Sequence, residues 1–99
     1  MKIPDRINIL GVMYTIKFEK NPKLIGEPDG SVWGYTSYEA ASIVLRKGLK
    51  KQQREKTLVH EVIHALLHEM GQFEYCADEE LICALETGIY QVLKDNELA

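Results

Sequence analysis

A chain of 99 residues with a formal net charge of −3 is long enough for one domain and too short for two, so we treat residues 1–99 as a single domain. Hydrophobic residues make up 45% of it and charged residues 27%, proportions that argue against a disordered protein. Acidic residues outnumber basic ones by 15 to 12, which argues against nucleic acid as a partner. No apolar run suggests a membrane span or a signal peptide, and two cysteines are too few for a disulfide framework. We therefore expect a cytoplasmic protein, and the composition does not predict its oligomeric state.

The first half of the chain is predicted to form β-strands. Residues 7–10 and 12–18 are rich in β-branched and aromatic side chains, and the glycine between them is a plausible turn. Residues 32–38 and 42–45 are two further strand candidates. Residues 21–31 contain two prolines and two glycines and are predicted to form a loop.

The second half is predicted to be helical, so the expected fold class is α+β. Residues 50–70 combine good helix formers with an apolar face at helical spacing, and Gly71 is placed to end the helix. After a loop at residues 72–77, Asp78 can cap a second helix. The predicted core face of the first helix is Val59, Val62, Ile63, Leu66 and Met70. The predicted core face of the second is Ile82, Leu85, Ile89, Val92 and Leu93.

The first helix contains the sequence His60-Glu61-Val62-Ile63-His64. Residues i and i+4 of a helix lie on one face, about 6 Å apart along the axis, so the two imidazoles can bind one metal ion. The intervening Glu61 lies close to the same edge, where it can contact a water that the metal activates. This is the HExxH pattern of zinc metallopeptidases, and its chance occurrence in a chain of this composition is about a one-in-a-hundred event. We therefore predict Zn²⁺ as the cofactor, His60 and His64 as ligands and Glu61 as the catalytic base.

The third zinc ligand must come from beyond the end of this helix. His68 continues the four-residue spacing, but it lies about 12 Å along the axis from His60, too far to share one tetrahedral zinc with both other histidines. We expect His68 to interact with the helix dipole instead. The candidates by chemistry are Glu74, Cys76, Asp78, Glu79 and Glu80.

Helical geometry favours Glu79 among these candidates. At about 100° per residue, Glu79 lies roughly 100° from the centre of the predicted apolar arc of the second helix, whereas Glu80 lies about 160° away, toward solvent. Asp78 is expected to be engaged as the N-cap. The alternative for Glu79 is that it merely interacts with the dipole in the first helical turn.

The sequence at residues 57–67 resembles the active-site helix of small phage and mobile-element zinc metallopeptidases, near the ImmA/IrrE-type family and, more distantly, the SprT-like proteins. Residues 88–96 also resemble the C-terminal part of such phage proteins, and the resemblance spans roughly residues 33–96. It implies a minimal zincin-like fold, with a small, mostly antiparallel sheet followed by the HExxH helix and a C-terminal helix that supplies a glutamate ligand. It also implies that residues 42–45 form a strand that lines the cleft and pairs with extended substrate.

The predicted function is that of a gluzincin-like zinc metalloendopeptidase with a peptide or protein substrate, in a phage or mobile-element regulatory setting. Zinc would activate a water, Glu61 would take its proton, and Tyr38, Tyr75 or Tyr90 could donate a hydrogen bond to the oxyanion. The alternative is a catalytically silent zinc-binding or protein-interaction module. A further alternative is a structural zinc site with Cys76 as a fourth ligand.

Overall fold

The computed structural model describes residues 1–23 and 32–99, which form strands in the first half and helices in the second. The strands are β1 (Arg6–Ile9), β2 (Val12–Glu19), β3 (Gly34–Ser37) and β4 (Ser42–Arg46). The helices are α1 (Lys51–Glu69), α2 (Phe73–Cys76) and α3 (Glu79–Asp95). The predicted α+β class is thereby confirmed. Most of the predicted loop at residues 21–31 lies outside the described residues.

The four strands form one mixed sheet in the order β1-β2-β4-β3. The outer pairs, β1 with β2 and β3 with β4, are antiparallel, whereas the central pair, β2 with β4, is parallel. Leu10 and Gly11, with φ angles of 51° and 90°, form the two-residue turn of the β1–β2 hairpin. The sheet is therefore mixed, with two antiparallel pairs, as expected, and one parallel pair. The parallel pair was not predicted, because β2 and β4 are distant in sequence and no local sequence pattern indicates that they pair.

Strand β4 lies at the centre of the sheet, between β2 and β3. Its first four residues are all buried, as is typical of a strand that is covered on both faces. The expectation that residues 42–45 pair with a substrate is wrong, because both edges of β4 are already paired with neighbouring strands. The strand at the edge of the sheet on this side is β3.

The core consists of two clusters of buried side chains, one on each of two sides of α1. Helix α1 packs against the sheet, and α3 packs against α1. The buried cluster between the sheet and α1 includes Tyr14, Ile16, Ile43, Leu45 and Leu58. The cluster between the two long helices is Val59, Ile63, Ile82 and Tyr90. Among the helices of the described segments, none is long and apolar enough to cross a membrane.

Helix α1 ends just before Gly71, the predicted glycine cap. Gly71 has a φ of 75°, its N–H donates to the His68 carbonyl, and the next residue donates to the Leu67 carbonyl, each at 2.9 Å. These two bonds are the Schellman motif. The predicted loop that follows contains the short helix α2. The prediction of Leu66 and Met70 as core residues is wrong, since they are 39% and 53% exposed.

Helix α3 begins as predicted, because the Asp78 side chain accepts a hydrogen bond from the Leu81 N–H at 3.1 Å. Its predicted core face, however, is largely wrong. Leu85, Ile89 and Val92 are 36%, 40% and 47% exposed, and α3 is rotated by roughly 70° from the predicted orientation.

The rotation of α3 has a polar cause. Glu55 of α1 is fully buried, and a buried carboxylate is costly unless hydrogen-bond donors surround it. Two donors come from α3, with the Tyr90 hydroxyl at 2.7 Å and the Lys94 Nζ at 3.1 Å from Glu55 Oε1. The Met1 ammonium lies 3.1 Å from Glu55 Oε2. Turning Tyr90 and Lys94 toward α1 leaves the apolar stripe of α3 on the outside.

Candidate metal centre

A cleft of about 1000 Å³ lies beside β3 and is lined by residues of β3, α1 and α3. Helix α1 can line it because its apolar residues occupy two other sides, one toward the sheet and one toward α3. The third side of α1 carries the HExxH motif. The potential metal ligands and acids in the cleft wall are His60, Glu61, His64, Glu79 and Glu86.

The structure brings His60, His64 and Glu79 together. Glu79 Oε1 lies 2.6 Å from His64 Nε2 and Glu79 Oε2 lies 3.3 Å from His60 Nε2, and the three potential ligand atoms all lie within 4.8 Å of one another. Tetrahedral ligands about 2.0–2.2 Å from zinc are roughly 3.3–3.6 Å apart. Two imidazoles and a carboxylate are a donor set that zinc can take. The Glu79–His60 distance matches the tetrahedral spacing, whereas Glu79 and His64 would have to move apart to hold one ion.

Two other acids near the start of α3 lie away from the histidines. The Asp78 carboxylate caps the helix, as expected. Glu80 is exposed, as Glu79 is, but it does not belong to the group of potential ligands within 4.8 Å of one another. Glu79 differs from Glu80 because it lies on the side of α3 that packs against α1, on which Ile82 and Glu86 also lie. The structure thus places Glu79, and not Glu80, in position to share a metal ion with both histidines. Glu74 is exposed on α2 and is also outside the groups of potential ligands found among the described residues.

Cys76 is buried beside His64, but on the wrong side of the ring to join this group. Its Sγ donates to the His64 carbonyl oxygen at 3.2 Å and lies 3.8 Å from His64 Nδ1. The other nitrogen, Nε2, is the one that faces Glu79. The fourth-ligand role considered for Cys76 therefore finds no support in this geometry.

The Glu61 carboxylate is buried in the cleft wall without belonging to the ligand group. The residue is 6% exposed, and the Thr36 hydroxyl of β3 donates to Glu61 Oε1 at 2.9 Å. Burial raises the pKa of Glu61, while the nearby histidines and the Thr36 hydrogen bond oppose this increase. A carboxylate with a raised pKa, held in one orientation next to a metal site, is suited to accept and return a proton.

The outer nitrogen of His60 also has a carboxylate partner, which the sequence analysis missed. Glu86 Oε1 lies 2.9 Å from His60 Nδ1, and Glu86 Oε2 lies 3.8 Å from Lys56 Nζ. A signal was present in the sequence, because Glu86 follows Glu79 by two helical turns and must share its side of α3.

Only one of the three tyrosines considered as oxyanion donors lines the described cleft, and that is Tyr38. Its hydroxyl is within hydrogen-bond distance of Cys76 Sγ, at 3.1 Å, and its ring stacks on His68 with centroids 4.0 Å apart. Burial raises the pKa of Tyr38, which keeps its hydroxyl protonated and able to donate. Tyr75 is 55% exposed outside the cleft, and the Tyr90 hydroxyl is bound to Glu55.

The site therefore combines three convergent potential metal ligands, a buried carboxylate and a protonated phenol on the walls of one cleft. Comparison of the chain with protein-family models, with curated protein sequences and with solved structures finds no match. The interpretation of the site rests on its own residues and their geometry.

Proposed function

We propose that this chain is a zinc-dependent peptidase, with His60, His64 and Glu79 as the zinc ligands and Glu61 as the catalytic base. The observation that carries the proposal is that the ligand atoms of these three residues lie within 4.8 Å of one another in a cleft that also holds the Glu61 carboxylate. A structural zinc site has no use for a buried acid that is not a ligand, whereas hydrolysis needs one.

The chemistry divides between the metal and the protein side chains. Zinc bound here would supply a Lewis acid for the substrate carbonyl and an activated water. Glu61 accepts the proton of the attacking water and delivers it to the amine that leaves when the peptide bond breaks. The Thr36 hydroxyl donates to Glu61 Oε1 at 2.9 Å and thereby helps to hold the carboxylate in one orientation for this exchange. The Tyr38 hydroxyl is the candidate donor to the oxyanion, a role for which it must leave its contact with Cys76 Sγ.

The edge of β3 supports an extended peptide as the substrate. The Arg46 N–H donates to the Trp33 carbonyl, and paired residues of antiparallel strands alternate between bonded and non-bonded pairs. By this alternation the N–H and C=O groups of Gly34 and Thr36 point away from β4, toward the cleft side, and no residue of the described segments pairs with them. An extended peptide can add to such an edge as a further strand.

We also propose that the chain is related to the small phage and mobile-element zinc peptidases that residues 57–67 resemble. The sheet and the HExxH helix would then form a zincin-like fold. Its support is the order of elements, a small sheet followed by the HExxH helix and a helix that carries Glu79. We further propose a cytoplasmic setting, which the unpaired thiols of Cys76 and Cys83 favour.

The test is peptide cleavage by the zinc-loaded protein and by its Glu61→Gln variant. Both proteins are purified identically, their zinc content is measured, and each is incubated with a mixed peptide library whose new termini are identified by mass spectrometry. We expect cleavage by the wild type, inhibition by a zinc chelator and at least a 100-fold loss in Glu61→Gln with its zinc retained, because only the proton acceptor is removed. Equal cleavage by both proteins would refute the role of Glu61. No cleavage by a wild type that binds zinc fully would favour the silent zinc-binding module.

A further inference from the structure

A carboxylate on α3 contacts the outer nitrogen of one proposed ligand. Glu86 Oε1 lies 2.9 Å from His60 Nδ1, closer than the 3.3 Å that separates Glu79 from His60 Nε2. The side chains of His60 and Glu86 are each only 17% exposed, so water competes weakly for this contact. The second oxygen of Glu86 lies 3.8 Å from Lys56 Nζ, which holds the carboxylate between a cation and the imidazole.

We propose that Glu86 is a positioning residue that fixes the tautomer and the ring orientation of His60. By accepting a hydrogen bond from Nδ1–H, Glu86 leaves the lone pair of the neutral ring on Nε2, the nitrogen that faces His64 and Glu79. A metal-ligating histidine whose other nitrogen donates to a carboxylate is oriented before the metal binds, and loss of that partner typically lowers metal affinity about 10- to 100-fold. The inference rests on the metal site of the proposed function.

The same residues admit a different arrangement, in which they bind metal themselves. His60, Cys83 and Glu86 also offer ligand atoms within 4.8 Å of one another. Two observations favour the positioning role. A metal on this side would take Nδ1 of His60 and turn the ligand atom away from His64, and it would leave Glu79 beside two histidines with no ion to bind. Cys83 is an exposed residue. Partial desolvation of its thiol and the nearby carboxylates of Glu79 and Glu86 raise the pKa of Cys83, which disfavours the thiolate that binds metal.

The direct test reads the His60 tautomer without metal or substrate. Long-range ¹H–¹⁵N spectra of the metal-free protein at pH 8 distinguish a proton on Nδ1 from one on Nε2. We expect the Nδ1–H form in the wild type and in Glu86→Gln, whose amide oxygen can still accept the bond, and a shift toward Nε2–H in Glu86→Ala. The Nε2–H form in the wild type would overturn the proposal.

Zinc affinity, measured by competition with a chromophoric chelator, supplies the second readout. We expect Glu86→Ala to weaken binding about 10- to 100-fold, while Glu86→Gln loses less. Glu80→Gln removes the same charge from an exposed position of α3 and should change affinity less than 2-fold, as should Cys83→Ser. Unchanged affinity in Glu86→Ala would overturn the positioning role, and a large loss in Cys83→Ser would assign the metal to the other side of His60. A wild type that binds no zinc would instead refute the proposed function, while the tautomer experiment would still report on Glu86.

Discussion

Replacing Thr36 by valine tests whether β3 orients Glu61, the proposed catalytic base. The substitution exchanges the hydroxyl for a methyl group of similar size, so it removes the 2.9 Å hydrogen bond to Glu61 Oε1 without opening a cavity. Glu61 is 6% exposed, and water therefore cannot easily replace the lost donor. Glu61 Oε1 then lacks the hydrogen-bond donor that it has in the described structure.

The expected size of the effect follows from the kind of bond that is lost. A hydrogen bond to a charged group contributes about 1.5–3 kcal/mol, and each 1.36 kcal/mol in an activation barrier corresponds to about tenfold in rate. If the bond serves mainly to orient Glu61 for proton transfer, kcat should fall roughly 10- to 150-fold. KM and zinc affinity should change little, because the hydrogen bonds that the Thr36 hydroxyl makes in the described structure go to Glu61 and not to a proposed zinc ligand.

The assay is steady-state cleavage of a peptide identified from the library, with zinc content measured for each variant. Thr36→Ser is the matched control, since it retains the hydroxyl and should restore most of kcat. A Thr36→Val protein with wild-type kcat, or a Thr36→Ser protein as impaired as Thr36→Val, would refute the reasoning that the hydroxyl positions Glu61.

Three further predictions concern metal binding and stability. Glu79→Ala should weaken zinc binding at least 100-fold in a chelator competition because one of three ligands is lost, and Glu80→Ala should leave it within 2-fold; the reverse ranking would contradict the assignment. Gly34→Ala should destabilise the fold by about 1–3 kcal/mol in thermal unfolding, since an added Cβ would lie 2.7 Å from a β4 backbone oxygen and 2.8 Å from an α1 methyl group. Gly88→Ala, in open space within α3, should stabilise by about 0.5–1 kcal/mol, and equal shifts for both would contradict the close packing. Burial alone would raise the pKa of Glu55, but hydrogen bonds from Tyr90, Lys94 and the Met1 ammonium lower it from 4.5 to about 2. Its contribution to stability is therefore present above pH 4.5 and is lost as the pH falls toward 2. Glu55→Gln should flatten this part of a stability–pH curve, and an unchanged slope would show that other groups control acid unfolding.

The sequence predicts the centre of the candidate site well because that part depends on helical periodicity alone. Spacing along one helix brings His60 and His64 to one side, and the angular position of Glu79 on the next helix distinguishes it from Glu80. The structure brings Glu79 beside both histidines, as the angular argument predicted, but the argument assumed the wrong orientation of α3. Glu79 lies near the middle of the α1-facing side of α3, not at its edge, because the whole helix is rotated.

The features that the sequence did not predict depend on contacts between distant segments. The rotation of α3 follows from the hydrogen bonds of Tyr90 and Lys94 to a buried carboxylate, and hydrophobic periodicity contains no information about buried polar pairs. The contact of Thr36 with Glu61 requires β3 to be the edge strand beside α1, which only the mixed strand order establishes. A local sequence pattern can predict that a segment forms a strand, but it does not predict which other strand it pairs with.

The central claim is that one zinc ion binds to His60, His64 and Glu79 and keeps an open position. Anomalous scattering from crystals of the zinc-loaded protein, recorded on both sides of the zinc absorption edge, tests this most directly. We predict one peak about 2.0–2.2 Å from His60 Nε2, His64 Nε2 and a Glu79 oxygen, with a water in the fourth position. A peak bound to the sulfur of Cys76, or one on the Nδ1 side of His60, would contradict it.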